Sequence, residues 1–274
     1  MITTLNKAYT AARPEDAQAA PPGLTGRSFA ITAAGLASVA GGLGVNQPEV
    51  WTVLAVETSG CGFLPDRRPP ILYERHIFSR LTGGRFYDGD ISAPAPGGYG
   101  PPGPHQYDRL AQAIALDRQA ALQSASWGLA QVMGMNYGMV GFADVETMVA
   151  AMCDTEDAQL AAFAAFLKSA KLDGALRNHD WTSLARGYNG PNYAQNSYDT
   201  KLGDQYNRLS AGPLPDINVR AAQLYLTFRG FNPGPVDGMA GARTMAAIQQ
   251  FQQQAGLTPS TAIDDSLIQT LLPG

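Results

Sequence analysis

The stretch Asn46-Gln47-Pro48-Glu49-Val50-Trp51-Thr52-Val53-Leu54-Ala55-Val56-Glu57-Thr58-Ser59-Gly60 decides how this chain is read. Pro48 stands where the first turn of a helix needs no N–H, so a helix is expected to open after Asn46-Gln47. Val50, Val53 and Leu54 recur at i, i+3 and i+4, the spacing of one core-facing stripe, and Glu57 follows at i+7 on the same face. A carboxylate closing such a stripe is out of place, and the negative end of the helix dipole disfavours it further. Glycines at 60 and 62 stop the helix there. Either Glu57 is a helix-end acid turned to solvent, or it is a carboxyl held against the core for a purpose.

Outward from this stretch the pattern stays helical. Thr32 to Leu43 reads as a helix stopped at Gly44, and Tyr107 to Leu122 as one with Leu110, Ala113, Ile114 and Asp117 on one stripe. Ser126 reads as the N-cap of a short helix through Met133. Asp154 is expected to cap a helix bearing Leu160, Phe163, Ala164 and Leu167. Asp180 is expected to cap another, with Trp181, Leu184, Ala185 and Tyr188, ended by Asn189-Gly190-Pro191. Residues 92–106 hold five prolines and four glycines, an ordered loop rather than an element. No β-alternation is visible before residue 210. Ala211-Gly212-Pro213-Leu214-Pro215 has linker composition. Beyond it, three short helices are expected: one capped by Asn218 and ending at Gly230, one carrying Thr244, Ala247, Ile248, Phe251 and Ala255, and one from Ile263 to Leu272 with Leu267 and Leu271 inward.

Composition narrows the function classes. The chain has 274 residues, 45% apolar and 15% charged, with Gly 30 and Pro 19. The charged share is below the roughly 25% of an average domain, but the apolar share is enough for a core. Net charge is −4, and basic residues cluster no further than Arg67-Arg68 and Lys168/Lys171, which argues against a nucleic-acid partner. Cys61 and Cys153 make neither a disulfide framework nor a zinc motif. The weakly apolar stretch Ala30 to Val45 is shorter than the roughly 20 residues of a membrane span, and residues 1–27, with Pro14, Pro21, Pro22, Gly23 and Gly26, read as a tail or loosely docked arm without a signal peptide. His76, His105 and His179 lack metal-ligand spacing, and there is no G-x-S-x-G elbow or phosphate-binding glycine loop, so no metal and no cofactor are expected.

Three separated pieces carry a resemblance: Val56-Glu57-Thr58-Ser59-Gly60, Ser126-Trp127-Gly128-Leu129-Ala130-Gln131-Val132-Met133 and Arg186-Gly187-Tyr188-Asn189-Gly190. In this order they resemble the goose-type lysozyme and soluble lytic transglycosylase superfamily. Gly62-Phe63-Leu64, Ile71-Leu72-Tyr73-Glu74-Arg75-His76-Ile77-Phe78, Asn189-Gly190-Pro191-Asn192-Tyr193 and Tyr198-Asp199-Thr200-Lys201-Leu202 are similar to the N-acetylmuramidase domain of modular phage endolysins, over roughly residues 30–209. Val219-Arg220-x-x-Gln223, Gly234-Pro235-Val236-Asp237-Gly238 and Phe251-Gln252 resemble the three-helix peptidoglycan-binding domain. In such endolysins the binding module usually comes first; the reversed order here is expected to leave the chemistry untouched. The resemblance implies a mainly α, lysozyme-like (goose-type) catalytic domain with a small three-helix module. The expected division is 1–27 tail, 28–209 catalytic domain, 210–217 linker and 218–274 binding module.

The resemblance implies a glycosidase that cleaves the β-1,4 bond between N-acetylmuramic acid and N-acetylglucosamine in bacterial peptidoglycan. Such cleavage needs a proton for a poor leaving group, hence a carboxylic acid still protonated near neutral pH, and burial against Val53, Leu54 and Val56 suits Glu57 to that role. A second carboxylate stands about 5–5.5 Å from the acid in retaining and about 6.5–9.5 Å in inverting enzymes. Glu74 is the candidate, unless it serves as a buried ion-pair partner of Arg75 or Arg80; Asp88 and Asp90 are weaker ones. Gln131, Tyr137, Tyr188 and Asn189 are expected to line a glycan cleft, the tyrosines having core packing as their alternative. Ser126 is a further binding candidate that reads equally as a cap. Asp237 could touch a stem peptide or simply hold its turn. Rival readings are a lytic transglycosylase leaving 1,6-anhydro ends, a cell-wall amidase or peptidase using Cys61, and a wall-binding protein without activity. A monomer is expected, with no stable membrane insertion, made in the bacterial host cytoplasm and acting on the wall.

Overall fold

The computed structural model describes residues 23–58, 60–190 and 193–272, the side chains of Glu57 and Pro104 excepted. Residues 1–22 of the expected tail at 1–27 lie outside the described residues, and the rest of it is docked, with Arg27 bonded to the Asp154 carboxylate at 2.7 Å. Leu24 is fully buried, and Phe29 pairs with Thr155 as a parallel bridge.

Among the described residues the chain forms thirteen α-helices and a three-stranded sheet. The first helix α1 (Ala33–Leu43) starts where the Thr32 side chain accepts from the Gly35 N–H and ends at Gly44 with φ 69°. Helix α2 (Gln47–Glu57) follows at once, its Asn46 N–H bonded to the Glu49 carboxylate at 3.1 Å. Both ends were legible because caps and stop glycines act locally.

Strands β1 (Ile71–Tyr73), β2 (Ala125–Trp127) and β3 (Val132–Met133) run antiparallel in that order, with Leu72 opposite Ser126 and Ser126 opposite Met133. This corrects two expectations: β-structure does precede residue 210, and residues 126–133 form a hairpin rather than a helix. Gly128 at φ 70° and Gln131 at φ 50° make the turn, and no right-handed helix passes through left-handed residues. Strands of two or three residues, almost wholly buried, leave no alternation to read.

Helix α3 (Arg75–Leu81) follows β1, and α4 (Pro104–Leu116) follows the Pro/Gly loop. The single helix expected over 107–122 is broken at Asp117, whose backbone is extended and whose carboxylate caps α5 (Arg118–Gln123) through the Ala120 N–H at 3.0 Å. Helices α6 (Val145–Asp154) and α7 (Glu156–Ser169) meet at Thr155. Thr155, not Asp154, caps α7, because the Asp154 carboxylate is engaged by Arg27 at 2.7 Å. Helix α8 (Asp173–Arg177) leads to α9 (Trp181–Asn189), which Asp180 caps as expected, and α10 (Tyr198–Ala211) packs back on α2.

After the 212–216 segment come α11 (Ile217–Phe228), α12 (Ala242–Gln254) and α13 (Asp265–Leu271). Asp216, not Asn218, caps α11, accepting from the Asn218 and Val219 N–H groups at 2.8 and 2.9 Å. Leu267 and Leu271 point inward, and Thr244, Ala247, Ile248 and Phe251 are buried on α12.

The larger core gathers α1 to α10 and the sheet and includes Trp127, whose indole N–H donates to the Leu122 carbonyl at 3.1 Å. The smaller core holds the three C-terminal helices, and Ala30 and Phe63 of the preceding region belong to it. Trp127 has no exposed surface. Trp127→Ala is therefore expected to lower the unfolding free energy by about 3–5 kcal/mol in urea titration; a loss below about 1 kcal/mol would mean the sheet is not part of the core.

Candidate active site

Helix α2 brings position 57 to the edge of the larger core. Val50, Val53 and Leu54 are buried, and position 57 shares their helical face. The Glu57 carboxyl itself lies outside the described atoms. The helix ends as the Thr58 hydroxyl donates to the Leu54 carbonyl, satisfying a group that the last turn leaves open.

Beyond Thr58 the chain is held from outside. The Gly62 N–H donates to Glu156 Oε1 at 2.6 Å, and the Gly62 carbonyl accepts from Gln159 Nε2 at 2.9 Å. The same Gln159 accepts from the Leu129 N–H at 2.6 Å through Oε1 and donates to the Met152 carbonyl at 2.7 Å. One buried amide thus joins the segment after Glu57 to the β2–β3 turn. A Cβ on Gly62 or Gly128 would stand 2.2 or 2.6 Å from Gln159 atoms, so both glycines permit this approach. The Tyr188 hydroxyl donates to the Ala130 carbonyl at 2.7 Å, and its ring meets Phe163 and Phe166 edge-on. Three pieces far apart in sequence converge here.

The remaining binding candidates divide by how they are engaged. Ser126 Oγ donates to Gln131 Oε1 at 2.8 Å, and Gln131 Nε2 donates to the Pro70 and Gly128 carbonyls at 2.9 and 2.8 Å. Those side chains hold the hairpin to the start of β1. Tyr137 is half-buried against the core, and Asn189 is the last residue of α9, before Gly190 at φ 79°.

Glu74 sits across the sheet, at the end of β1, where its N–H donates to the Ser124 carbonyl at 2.8 Å. Its carboxyl is 7% exposed and approaches His76 Nδ1 at 3.1 Å without hydrogen-bonding geometry. The expected partners Arg75 and Arg80 are turned elsewhere, to the Gly89 carbonyl and the Met135 sulfur. Burial pushes the Glu74 carboxyl above the usual carboxylate range, opposed by a hydrogen bond from Tyr99 and the charge of Arg109. Burial, with Arg80 and Arg75 nearby, holds His76 below its ordinary value, so it is neutral at pH 7.

The Pro/Gly loop that supplies Tyr99 is pinned. Buried Arg109 donates to the Tyr99 carbonyl at 3.0 Å and to the Asp90 carbonyl, and its Nε lies 3.2 Å from the Asp90 carboxylate. Gln106 donates to the Tyr99 and Pro101 carbonyls at 2.6 and 2.8 Å. Asp88 caps its own turn through the Asp90 N–H at 2.9 Å. Both aspartates thus take part in holding this loop.

Sequence reasoning missed Glu156 and Gln159. Their signal was present: they precede Leu160 and Phe163 at i, i+3, i+4 and i+7, so two polar residues extend the buried stripe of α7. Cys61 is unsuited to nucleophilic attack, because burial and the neighbouring Glu156 push its thiol up to about 11, the reverse of what a thiolate needs. In the C-terminal helices Asp237 holds its turn, accepting from Met239 N–H at 2.9 Å and Gln223 Nε2 at 3.1 Å. Among the described residues no group of three or more His, Cys, Asp or Glu is arranged to hold a metal ion, and no helix is long and apolar enough to cross a membrane.

Comparison with known proteins agrees with this geometry. Residues 46–210 match the N-acetylmuramidase family model, and residues 216–271 match a peptidoglycan binding domain model. The solved structure of a Burkholderia AP3 phage endolysin is 39% identical with a TM-score of 0.63, the alignment covering 66% of this chain and 71% of that one. No curated protein sequence matches the chain.

A carboxyl whose folded-state pKa is raised binds its proton more readily folded than unfolded, so stability falls as pH rises through that interval. Glu74→Gln should therefore raise the melting midpoint at pH 7 relative to wild type, with the gain vanishing below about pH 4, where the unfolded acid is also protonated. Equal midpoints at both pH values would show that Glu74 is not held in a desolvated place.

Proposed function

The chain belongs to the N-acetylmuramidase family and hydrolyses peptidoglycan, and on that premise we propose that Glu57 is the general acid that protonates the β-1,4 glycosidic oxygen between N-acetylmuramic acid and N-acetylglucosamine. The observation that carries this reading is the placement of position 57. It ends a helical face whose preceding residues are buried, next to a segment that Gln159 links to the hairpin, and the hairpin in turn accepts the Tyr188 hydroxyl of α9. The negative end of α2, where position 57 stands, favours the protonated acid. A protonated carboxyl can then hand its hydrogen to the departing sugar oxygen as the anomeric carbon gains positive character.

Glu74 is the proposed second carboxylate. Its buried carboxyl, with Tyr99 and neutral His76 around it, would orient the attacking water and take up its proton as the bond to the anomeric carbon forms. Tyr137 and Asn189 are proposed to meet the glycan, one offering an aromatic face and the other an amide for an acetamido group or hydroxyl. Ser126, Gln131 and Tyr188 are proposed to act by fixing the walls of the groove, because their polar atoms are engaged in it. The catalytic unit is proposed to span residues 28–209 and the wall-binding module residues 218–274, joined by 210–217. We further propose that the chain is released from inside a bacterial host and acts as a monomer.

Glu57→Gln keeps the shape and removes the proton. It is expected to lower the rate of sacculus clearing by about 10²–10⁴-fold while leaving the melting midpoint within a few degrees of wild type. Mass spectrometry of the wild-type digest should show hydrated reducing ends. Anhydro ends, lighter by one water, would make the enzyme a transglycosylase, and a Gln variant as fast as wild type would remove Glu57 from the reaction.

A further inference from the structure

The C-terminal module reaches into the segment that follows Glu57. Arg220 of α11 is 3% exposed, and its guanidinium forks onto the fully buried Glu156 carboxylate, with Nη2 donating to Oε1 at 2.8 Å and Nη1 to Oε2. The same Nη2 donates to the Gly60 carbonyl at 3.0 Å. Glu156 meanwhile accepts from the Gly62 N–H at 2.6 Å and from the Ile31 N–H at 3.0 Å. The carbonyl at 60 and the amide at 62 are thus gripped from opposite sides by one ion pair, half of which belongs to the module.

Apolar packing repeats the connection. Phe63 is 3% exposed within the module's own core, its ring 6.3 Å from that of Phe228 and edge-on to it. The Tyr225 hydroxyl accepts from the Ala30 N–H at 3.0 Å. Thr58 to Gly62 contains two glycines, one at φ 98° with open space where a Cβ would be. Its local bonds include the Gly60 N–H to Thr58 Oγ1 at 3.3 Å and the Cys61 thiol to the Phe63 carbonyl at 3.1 Å, and the bonds from Arg220 and Glu156 add a hold from outside the segment.

We propose that Arg220 is a positioning residue for glycan cleavage: through Glu156 and the Gly60 carbonyl, the wall-binding module sets the path of the chain leaving Glu57 and so the place of the acid. The module is then a structural part of the catalytic apparatus as well as an anchor. This deepens the reading of Glu57 as the acid and rests on it. A displacement of about 1 Å at a reacting group can cost about 10²-fold in rate, so loosening the segment should act on turnover. Lysine in place of Arg220 keeps a positive charge facing Glu156. Its compact ammonium has no planar fork with which to span both carboxylate oxygens and the Gly60 carbonyl.

The test uses the full chain on a soluble, peptide-free glycan oligomer of alternating N-acetylglucosamine and N-acetylmuramic acid, with co-sedimentation on sacculi measured in parallel. Arg220→Lys is expected to lower kcat by about 10–100-fold with KM within about twofold of wild type and sacculus binding retained. Phe228→Ala releases Phe63 from the apolar side without touching the buried charges. It should give the same split at several-fold, and it decides the matter if circular dichroism shows Arg220→Lys unfolded. A folded variant with wild-type kcat, or one that loses only sacculus binding, overturns the positioning role. Glu57→Gln in the same assay separates the two ideas. An inactive Gln variant beside a fully active Arg220→Lys refutes positioning alone, and an active Gln variant refutes both.

Discussion

The Glu156 carboxylate, with no exposed surface, is the fixed point of this structure. An isolated buried charge would cost several kcal/mol or lose its ionisation. Here it is met by two backbone amides and both ends of a guanidinium, and it stands in the first turn of α7, where the helix dipole favours a negative group. Because these four donors come from three residues in other parts of the chain, satisfying this one group brings together the N-terminal segment at Ile31, the segment after Glu57 and the module's first helix. Removing any partner would leave a charge short of donors, so the arrangement is held as a unit.

One helical turn further on, Gln159 does the same work with a neutral amide, linking Gly62 to the hairpin at Leu129. On the other side of the sheet, Arg109 and Gln106 fasten the Pro/Gly loop by its carbonyls and so bring Tyr99 to Glu74. The two candidate acids therefore come from different places in the fold: position 57 ends a helix, and the Glu74 carboxyl sits in a polar but desolvated niche beside His76. Different environments are what separate the pKa values of two acids of one chemical type. The module, whose place in the chain was expected to leave the chemistry untouched, brings Arg220 onto Glu156 and the Gly60 carbonyl.

Much of the helical frame was legible because its signals are local. Thr32, Asn46 and Asp180 open helices and Gly44 closes one, each by a bond spanning a few residues. Legibility failed where distant groups compete. Asp154 looks like a cap until Arg27, 127 positions away, takes its carboxylate and leaves the role to Thr155. Ser126 looks like a cap until the strand of Leu72 pairs with it. The left-handed backbone at Gln131 has no compositional trace, so the hairpin turn was unreadable. At the site, Glu57 and Glu74 were visible as acids among apolar neighbours. Glu156 and Gln159 were visible in the same way, had the α7 stripe been followed one turn toward its start.

The Glu57 carboxyl can be titrated directly by carbon NMR of labelled glutamate, with the signal assigned by its absence from the Glu57→Gln spectrum. A midpoint shifted well above the ordinary glutamate value is expected for a general acid that carries its proton at working pH. A midpoint near the ordinary value of about 4.3 would mean the group is ionised at working pH and cannot deliver the proton.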